Sequence, residues 1–364
     1  MVINKPKYVQ IIDFLTQEIE NEVYHINDKL PSESELMKKF SVSRIVAVSA
    51  LNKMAEDKTI YRIAGKGSFV TDPKNIYDSC DSDYLFEKEW KHVSLIVINT
   101  ASKYASSLVN VLVETLYQCK IHCSVHYSLN NREMESNLIE YAMNSGQDGI
   151  ILYPCDSDKY SQQLLTAIKK GFPIVLIDRD LPGLGLSCVS TDNQYAIRLA
   201  TNHLIKLGHK KICLFTRNFP STVFVDRTKG FLFEMMSQNV MVDPSLVLTD
   251  YSEESLRDKL ENIILKKLAT AVICISTYDY EIFTELLSQH NYSCPQDFSV
   301  IHFDEDFIVN GGNTTHIVQN CKLIAQNTAD IMKNIFKSGS NSCEKISVPP
   351  FFVQGSTTAA IDAD

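Results

Sequence analysis

No apolar run in these 364 residues approaches the roughly 20 needed to cross a bilayer. The opening MVINKPKYVQ leads into mixed polar sequence instead of a signal-peptide core, so export is not expected and a cytoplasmic location is. No CxxC pair occurs among the ten cysteines, which are scattered from Cys80 to Cys343. The only close pair, Cys119 and Cys123, has the spacing of neighbours on one helix face, and a lone CxxxC is a weak metal signal. The cysteines read as small buried hydrophobes in a reducing compartment. No His pair has metal spacing, so no metal is expected. GxSxG, HExxH, a P-loop and a strand-following GxGxxG are all missing. Asp304 and Asp306 lie too loosely to specify an acid–base pair. Neither an enzyme nor a cofactor is expected. Internal repeats and low-complexity segments are also absent.

Net positive charge is lacking too: 35 Lys and Arg face 44 Asp and Glu, a balance of −9. The distribution matters more than the total. Residues 1–71 hold ten basic and nine acidic side chains, whereas residues 72–364 hold 25 and 35. Contact with nucleic acid is therefore expected in the first segment alone, because the acidic remainder repels phosphate.

What is present falls into three textures. Residues 1–71 read as three helices and a hairpin. Tyr8, Ile11, Ile12, Leu15 and Ile19 recur at helical spacing. Ser32 and Glu35 are set as a capping box for a short second helix, with Leu36 and Phe40 on its buried side. Ser41 to Ser43 make a tight break, and a third helix runs to about Asp57. Ile60–Ile63 then pairs with Phe69–Thr71 across Gly65, Lys66 and Gly67. Residues 72–91 carry six acidic and three basic side chains and read as a linker. Its Tyr84, Leu85, Phe86 and Trp90 are suited to dock on a neighbouring domain.

From residue 92 to 364, short apolar runs alternate with amphipathic helices. The runs include Val93–Ile98, Gly149–Tyr153, Pro173–Ile177, Lys211–Phe215, Ala271–Ile275 and Phe298–Phe303. Helical patterns lie at Leu108–Cys119, Leu138–Met143, Leu164–Lys170, Ala196–Leu207 and Ile282–Leu287. This alternation implies parallel sheets covered on both faces. About 270 residues exceed one comfortable doubly wound sheet, so two α/β lobes with a cleft are expected. Ligand then binds at the carboxyl ends of the strands.

The third helix of the first segment carries the sharpest local signal. Ala47, Ala50, Leu51 and Met54 fall at i, i+3, i+4 and i+7, a buried face of small and apolar residues. Arg44, Ile45, Val48, Ser49 and Asn52 lie opposite, where a recognition helix meets a major groove. The helix start near Ser32 offers backbone N–H groups to phosphate. Lys66 puts a charge on the hairpin tip. Leu30-Pro31-Ser32-Glu33-Ser34-Glu35-Leu36, Val42-Ser43-Arg44 and Gly65-Lys66-Gly67-Ser68-Phe69-Val70 together closely resemble the winged helix of the GntR family. The resemblance covers residues 5–71 and implies an α+β winged helix-turn-helix that binds double-stranded operator DNA. It points to Ser32, Glu33, Ser34, Ser43, Arg44, Ile45, Val48, Ser49, Lys66 and Gly67 as the contact set. Ser34, Val48 and Ser49 stand where the family often has cations, so Ile45 and Val48 are expected against thymine methyls. A winged helix used only for protein contacts is the competing reading.

Residues 93–355 also carry a pattern. Ile177-Asp178-Arg179 ends one strand, and Val189 to Asn193 ends another and starts a helix. Gly208 to Ile212, Ser221, Arg227, Gly230-Phe231, Phe298 to Asp304 and Thr315 to Gln319 follow. These resemble the sugar-sensing core of the LacI family, which shares the periplasmic-binding-protein fold. Joined to the winged helix, the arrangement resembles the arabinose-repressor subgroup of GntR regulators. The resemblance implies Arg227 and Asp304 as the main clamps on a small-molecule effector, a sugar, whose adjacent hydroxyls need paired contacts. Gln319, after a crossover, is placed to reach the same cleft, and Asn99, Thr100 and Tyr104, after the first strand, are expected as contacts from the first lobe. Ser276-Thr277 stands where many relatives have Asn-Asp, with Asp279 two residues later, and Ser276 and Asp279 are the contacts expected there. Asp178 and Arg179 read either as a hinge pair or as ligand contacts. Asp192 reads as a helix cap, and His203 and His209 as structural. The whole is read as a homodimeric transcription regulator of carbohydrate genes, a repressor, whose operator affinity follows the effector. A solute receptor or an enzyme on the same fold is the alternative.

Overall fold

The computed structural model describes residues 5–21, 23–57, 59–63, 66–71, 90–155, 159–216, 221–249, 252–304, 307–309 and 312–361. The chain divides into two compact units, Met1–Phe86 and Glu87–Asp364.

In the first unit, helices α1 (Lys7–Glu20), α2 (Glu33–Phe40) and α3 (Arg44–Glu56) precede a hairpin of β1 (Ile60–Ile63) and β2 (Gly67–Val70). α2 begins as the capping box requires: the Ser32 hydroxyl accepts from the Glu35 N–H, and Glu35 reaches back to the Ser32 N–H. It stops where Ser41 turns left-handed at φ 48°. Ala47, Ala50, Leu51 and Met54 are all buried, and α3 packs through them against Ile11, Leu15 and Leu36. β2 starts two residues earlier than expected: Ile60 faces Val70 and Ile63 faces Gly67. Backbone bonds from Leu30 to Ser68 and from Asn27 to Val70 extend the hairpin. A Cβ on Gly67, at φ +124°, would sit 2.9 Å from Lys29 Cε, so a glycine lets the wing lie against residue 29.

The second unit is two α/β lobes. The first lobe holds β3 (Lys91–Val97), α4 (Lys103–Gln118), β4 (Ile121–Tyr127), α5 (Arg132–Asn144), β5 (Gly149–Leu152), α6 (Gln162–Lys169), β6 (Ile174–Ile177) and β7 (Ser187–Thr191). The chain then builds the second lobe. It comprises α7 (Asn193–Lys206), β8 (Ile212–Phe215), α8 (Thr222–Ser237), β9 (Val247–Leu248), α9 (Glu253–Leu265), β10 (Ala271–Cys274), α10 (Thr277–Gln289) and β11 (Ser299–Phe303). A small hairpin of β12 (Ile308–Val309) and β13 (Gly312–Asn313) precedes β14 (His316–Val318). α11 (Cys321–Ser338) and β15 (Lys345–Val348) return to the first lobe, and β16 (Phe351–Val353) ends in the second.

Sheet order is β15-β7-β6-β5-β3-β4 in the first lobe and β16-β14-β11-β10-β8-β9 in the second. Every pairing is parallel except β14 with β16. Runs such as Ile150-Ile151-Leu152 and Ala271 to Cys274 are buried throughout, because helices cover both sheet faces. The chain therefore crosses between lobes three times, at 191–193, 318–321 and 348–351.

Two expectations change. Cys119 and Cys123 do not share a helix face: Cys119 caps α4 and Cys123 lies in β4, since the helix ends one turn earlier. Trp90 stacks on His122 at 4.4 Å and contacts Tyr117 at 5.2 Å within its own unit. Tyr84, Leu85, Phe86, Cys80, Gly65 and Asp306 lie outside the described residues.

α7 and α8 approach so closely that a Cβ on Gly230 would fall 2.4 Å from Ile197 Cγ2 and 2.5 Å from the Gln194 carbonyl. Gly230→Ala is expected to force the helices apart and cost about 1–3 kcal/mol, read by urea unfolding. An unchanged midpoint would show that this contact does not limit the packing.

Candidate functional site

In the first unit, the exposed side of α3 begins with Arg44, whose side chain is 76% exposed, and Ile45, 78% exposed. Ser49 and Asn52 continue that face, while Val48 is half-buried beneath it. Ser32, Ser34 and Ser43 are exposed around the helix starts, and Lys66 is exposed at the hairpin. The Ser32 hydroxyl is already committed to Glu35, at 2.7 Å. Glu33 does more than line the surface. Its Oε2 accepts from Arg44 Nε at 3.0 Å, and its Oε1 accepts from Arg62 Nη2 at 2.5 Å. The two guanidiniums hold its pKa below the ordinary carboxylate value, Arg44 contributing most. Arg62 also donates to Asn52 Oδ1. Sequence reasoning missed Arg62, because a single cation on a four-residue strand carries no spacing signal.

In the second unit, the carboxyl ends of the strands converge on Arg227. It sits in the second turn of α8, not at its start, and is 3% exposed. Its Nε donates to Asn193 Oδ1 at 2.8 Å and its Nη1 to the Ile275 carbonyl. Its guanidinium lies 3.6 Å from the centre of the Phe303 ring. Burial lowers its pKa, and Asp304, Asp178, Tyr104 and Tyr153 oppose that shift. Asp304 is at φ 77°, just past β11, and accepts from Gln319 Nε2 at 2.7 Å. Gln319 Oε1 in turn accepts from Thr191 at 2.5 Å. Asp178, also left-handed at φ 66°, accepts from the Tyr104 hydroxyl at 2.7 Å and bonds Tyr153. Burial, then the Asp178 charge, keeps both phenols well above their ordinary pKa.

Two cavities flank this group. One of about 510 Å³ is lined by Asp178, Ser190, Asn193, Ser221, Asp226 and Lys229, among others. Another of about 430 Å³ is lined by Lys103, Tyr104, Ser107, Asp304, His316, Gln319 and Cys321, among others. Polar atoms on opposite walls, with Tyr104 beside them, suit a small polyhydroxy compound.

Four expected contacts lie elsewhere. Asn99 is exposed, and its carboxamide turns back to the Ala101 N–H at 3.0 Å. Thr100 is half-buried and lines neither cavity. Ser276 and Asp279 close on each other to cap α10, with the Ser276 hydroxyl donating to Asp279 at 2.7 Å. Asp279 is fully buried by that cap, so it is not presented to either cavity. Asp178 and Arg179 are 3.8 Å apart, and Arg179 donates to the carbonyls of Pro154 and Cys155. Asp192 caps α7, and His203 and His209 bond within the fold. Tyr153, Asn193, Lys103 and His316 were not singled out from sequence. Their common signal is position at a strand or helix end.

Residues 7–70 match the family of bacterial regulatory proteins of the gntR type, and residues 93–341 match the periplasmic binding protein domain. The arabinose metabolism transcriptional repressor of Geobacillus stearothermophilus is 24% identical over 319 residues, 82% of each chain. A LacI family transcriptional regulator from Enterococcus faecium, solved with bound ribose, superposes with a TM-score of 0.61. It is 21% identical over 75% of this chain and all of its own. The lac repressor dimer, solved on operator with an anti-inducer, superposes with a TM-score of 0.62. It is 16% identical over 76% of this chain and 96% of its own.

Beside Asp304, His302 is fully buried against Tyr280 and His316. Burial lowers its pKa to about 3. The folded chain thus refuses a proton that the unfolded chain takes near pH 6.5. The stabilisation is complete above about 6.5 and is lost as pH falls toward 3. His302→Gln is expected to reduce the pH slope of unfolding free energy in that window by about 1.4 kcal/mol per unit. An identical slope in the variant would contradict the assignment.

Proposed function

The chain belongs to the periplasmic-binding-protein domain family, with a gntR-type segment ahead of that domain, and on that premise we propose that it is a repressor whose hold on operator DNA is set by a sugar. In this reading residues 1–71 bind DNA, 72–91 link, and 92–364 sense the effector. The protein acts in the cytoplasm as a homodimer, since paired heads match palindromic half-sites. The observation that carries the sensor reading is Arg227, a buried guanidinium set among carboxylates from both lobes beside two polar cavities. A fork of fixed N–H donors facing carboxylate acceptors is the donor–acceptor set that adjacent sugar hydroxyls need. Tyr104, Asp178, Asp304 and Gln319 complete it. The arabinose repressor and the ribose-bound regulator support a pentose or related sugar.

The head reading rests on the exposed Arg44, Ile45 and Ser49 face and on Lys66. A coupling of about 1–3 kcal/mol between the sites makes a usable switch. Relatives are transcription regulators, which supports regulation over catalysis.

Thermal-shift screening with arabinose, ribose, xylulose and common hexoses tests the sensor. A ligand at a hundredfold excess over Kd is expected to add about 2.7 kcal/mol of apparent stability. Arg227→Lys is expected to abolish that shift while upstream DNA is still retained in a gel. A shift that survives in the variant rejects Arg227 as the clamp. A wild-type protein that retains no DNA near its locus at low salt rejects the regulator reading.

A further inference from the structure

The head contains a polar arrangement that a simple list of contact residues does not explain. Glu33, Arg44, Arg62 and Asn52 come from α2, α3 and β1 and form one chain of bonds. Arg62 donates with Nη1 to Asn52 and with Nη2 to Glu33. Both of its Nη groups are thereby engaged within the protein. Arg44 is different. Only its Nε is engaged, by Glu33 Oε2 at 3.0 Å, and its two Nη groups have no partner among the described residues. The Glu33 side chain is 26% exposed and the Arg62 side chain 30%, against 76% for Arg44. The anchor is thus less exposed than the tip.

We infer that Glu33, itself held in place by Arg62, is the positioning residue that lets Arg44 read guanine. The inference rests on the DNA-binding reading above. Its chemistry follows from the shape of the guanidinium. With Nε taken, the remaining edge presents two parallel N–H groups, one from each Nη. Guanine offers two adjacent acceptors in the major groove, O6 and N7. Adenine offers N7 beside an amino donor, which meets one of those N–H groups head on. An unanchored arginine on a surface helix samples many rotamers and finds phosphate as readily as a base. The carboxylate removes that freedom. It also cancels one of the two positive charges, so the clamp gives up sequence-independent attraction in exchange for orientation.

This predicts opposite effects on two readouts, which loss of structure alone does not. Full-length wild type is used to select duplexes from a random double-stranded library. Each guanine of the selected sequence is then replaced by adenine. Wild type is expected to lose about tenfold or more at one guanine per half-site. Glu33→Gln is expected to lose less than about threefold there, and to bind random-sequence duplex more tightly at low salt. Arg44→Lys keeps the charge, lacks the fork, and is expected to lose the same guanine preference without the rise in random binding. The inference is overturned if Glu33→Gln keeps the wild-type penalty at every guanine, or if Arg44→Lys does. In either case wild-type selection of a sequence leaves the regulator reading standing. If wild type enriches no duplex at all, the regulator reading falls and this inference with it.

Discussion

A guanidinium taken out of water is costly unless its donors are met and its charge is answered. Arg227 is such a group, and the sensor is built around satisfying it. Asn193 and the Ile275 carbonyl take its N–H groups, Phe303 covers its face, and Asp304 and Asp178 supply the charge. These partners come from the ends of α7, β10, β11 and β6. Close packing of α7 against α8 near Gly230 brings Asn193 beside Arg227. The same requirement leaves polar groups on both lobes facing the two cavities.

Asp304 also ties that charge to the crossings between lobes. Gln319, in the second crossing, donates to Asp304 and accepts from Thr191, in the first. Asp192 of the first crossing bonds the Val348 carbonyl near the third. In the reading proposed above, a ligand hydroxyl that takes an Asp304 oxygen would act beside a side chain that holds two crossings together, a physical route by which occupancy would bias lobe arrangement.

The head solves a smaller version of the same problem. Glu33 is shared between two guanidiniums, one 30% and the other 76% exposed. Around Arg44 on α3, Ile45, Val48, Ser49 and Asn52 are uncharged, and the next cation along the helix is the exposed Lys53. Such a surface depends on the geometry of a few groups more than on the amount of positive charge, consistent with a first segment of ten basic and nine acidic residues.

Much of the fold was legible because burial leaves a periodic mark. The Ala47, Ala50, Leu51, Met54 face and the runs that became β5, β6, β8, β10 and β11 follow from helices or sheets with dry sides. β4 was not read as a strand, because His122, Ser124 and His126 alternate with Cys123 and Val125 and leave no apolar run. Arg227 and Asp304 were named from motif resemblance, Gln319 and Tyr104 from their places after a crossover and a strand, and the structure gathers the four. Ser276 and Asp279 went to a helix cap, since a serine three residues before an aspartate satisfies a helix start locally whatever else is nearby. By itself, then, the sequence determined the three-part division of the chain, the split of charge and the buried face of α3, all of which are set by neighbours along the chain. Only the tertiary structure decided that Asp178, Tyr153 and Asn193 surround Arg227, and that Arg62 anchors Glu33. Those contacts join residues far apart in sequence, and no local spacing records them.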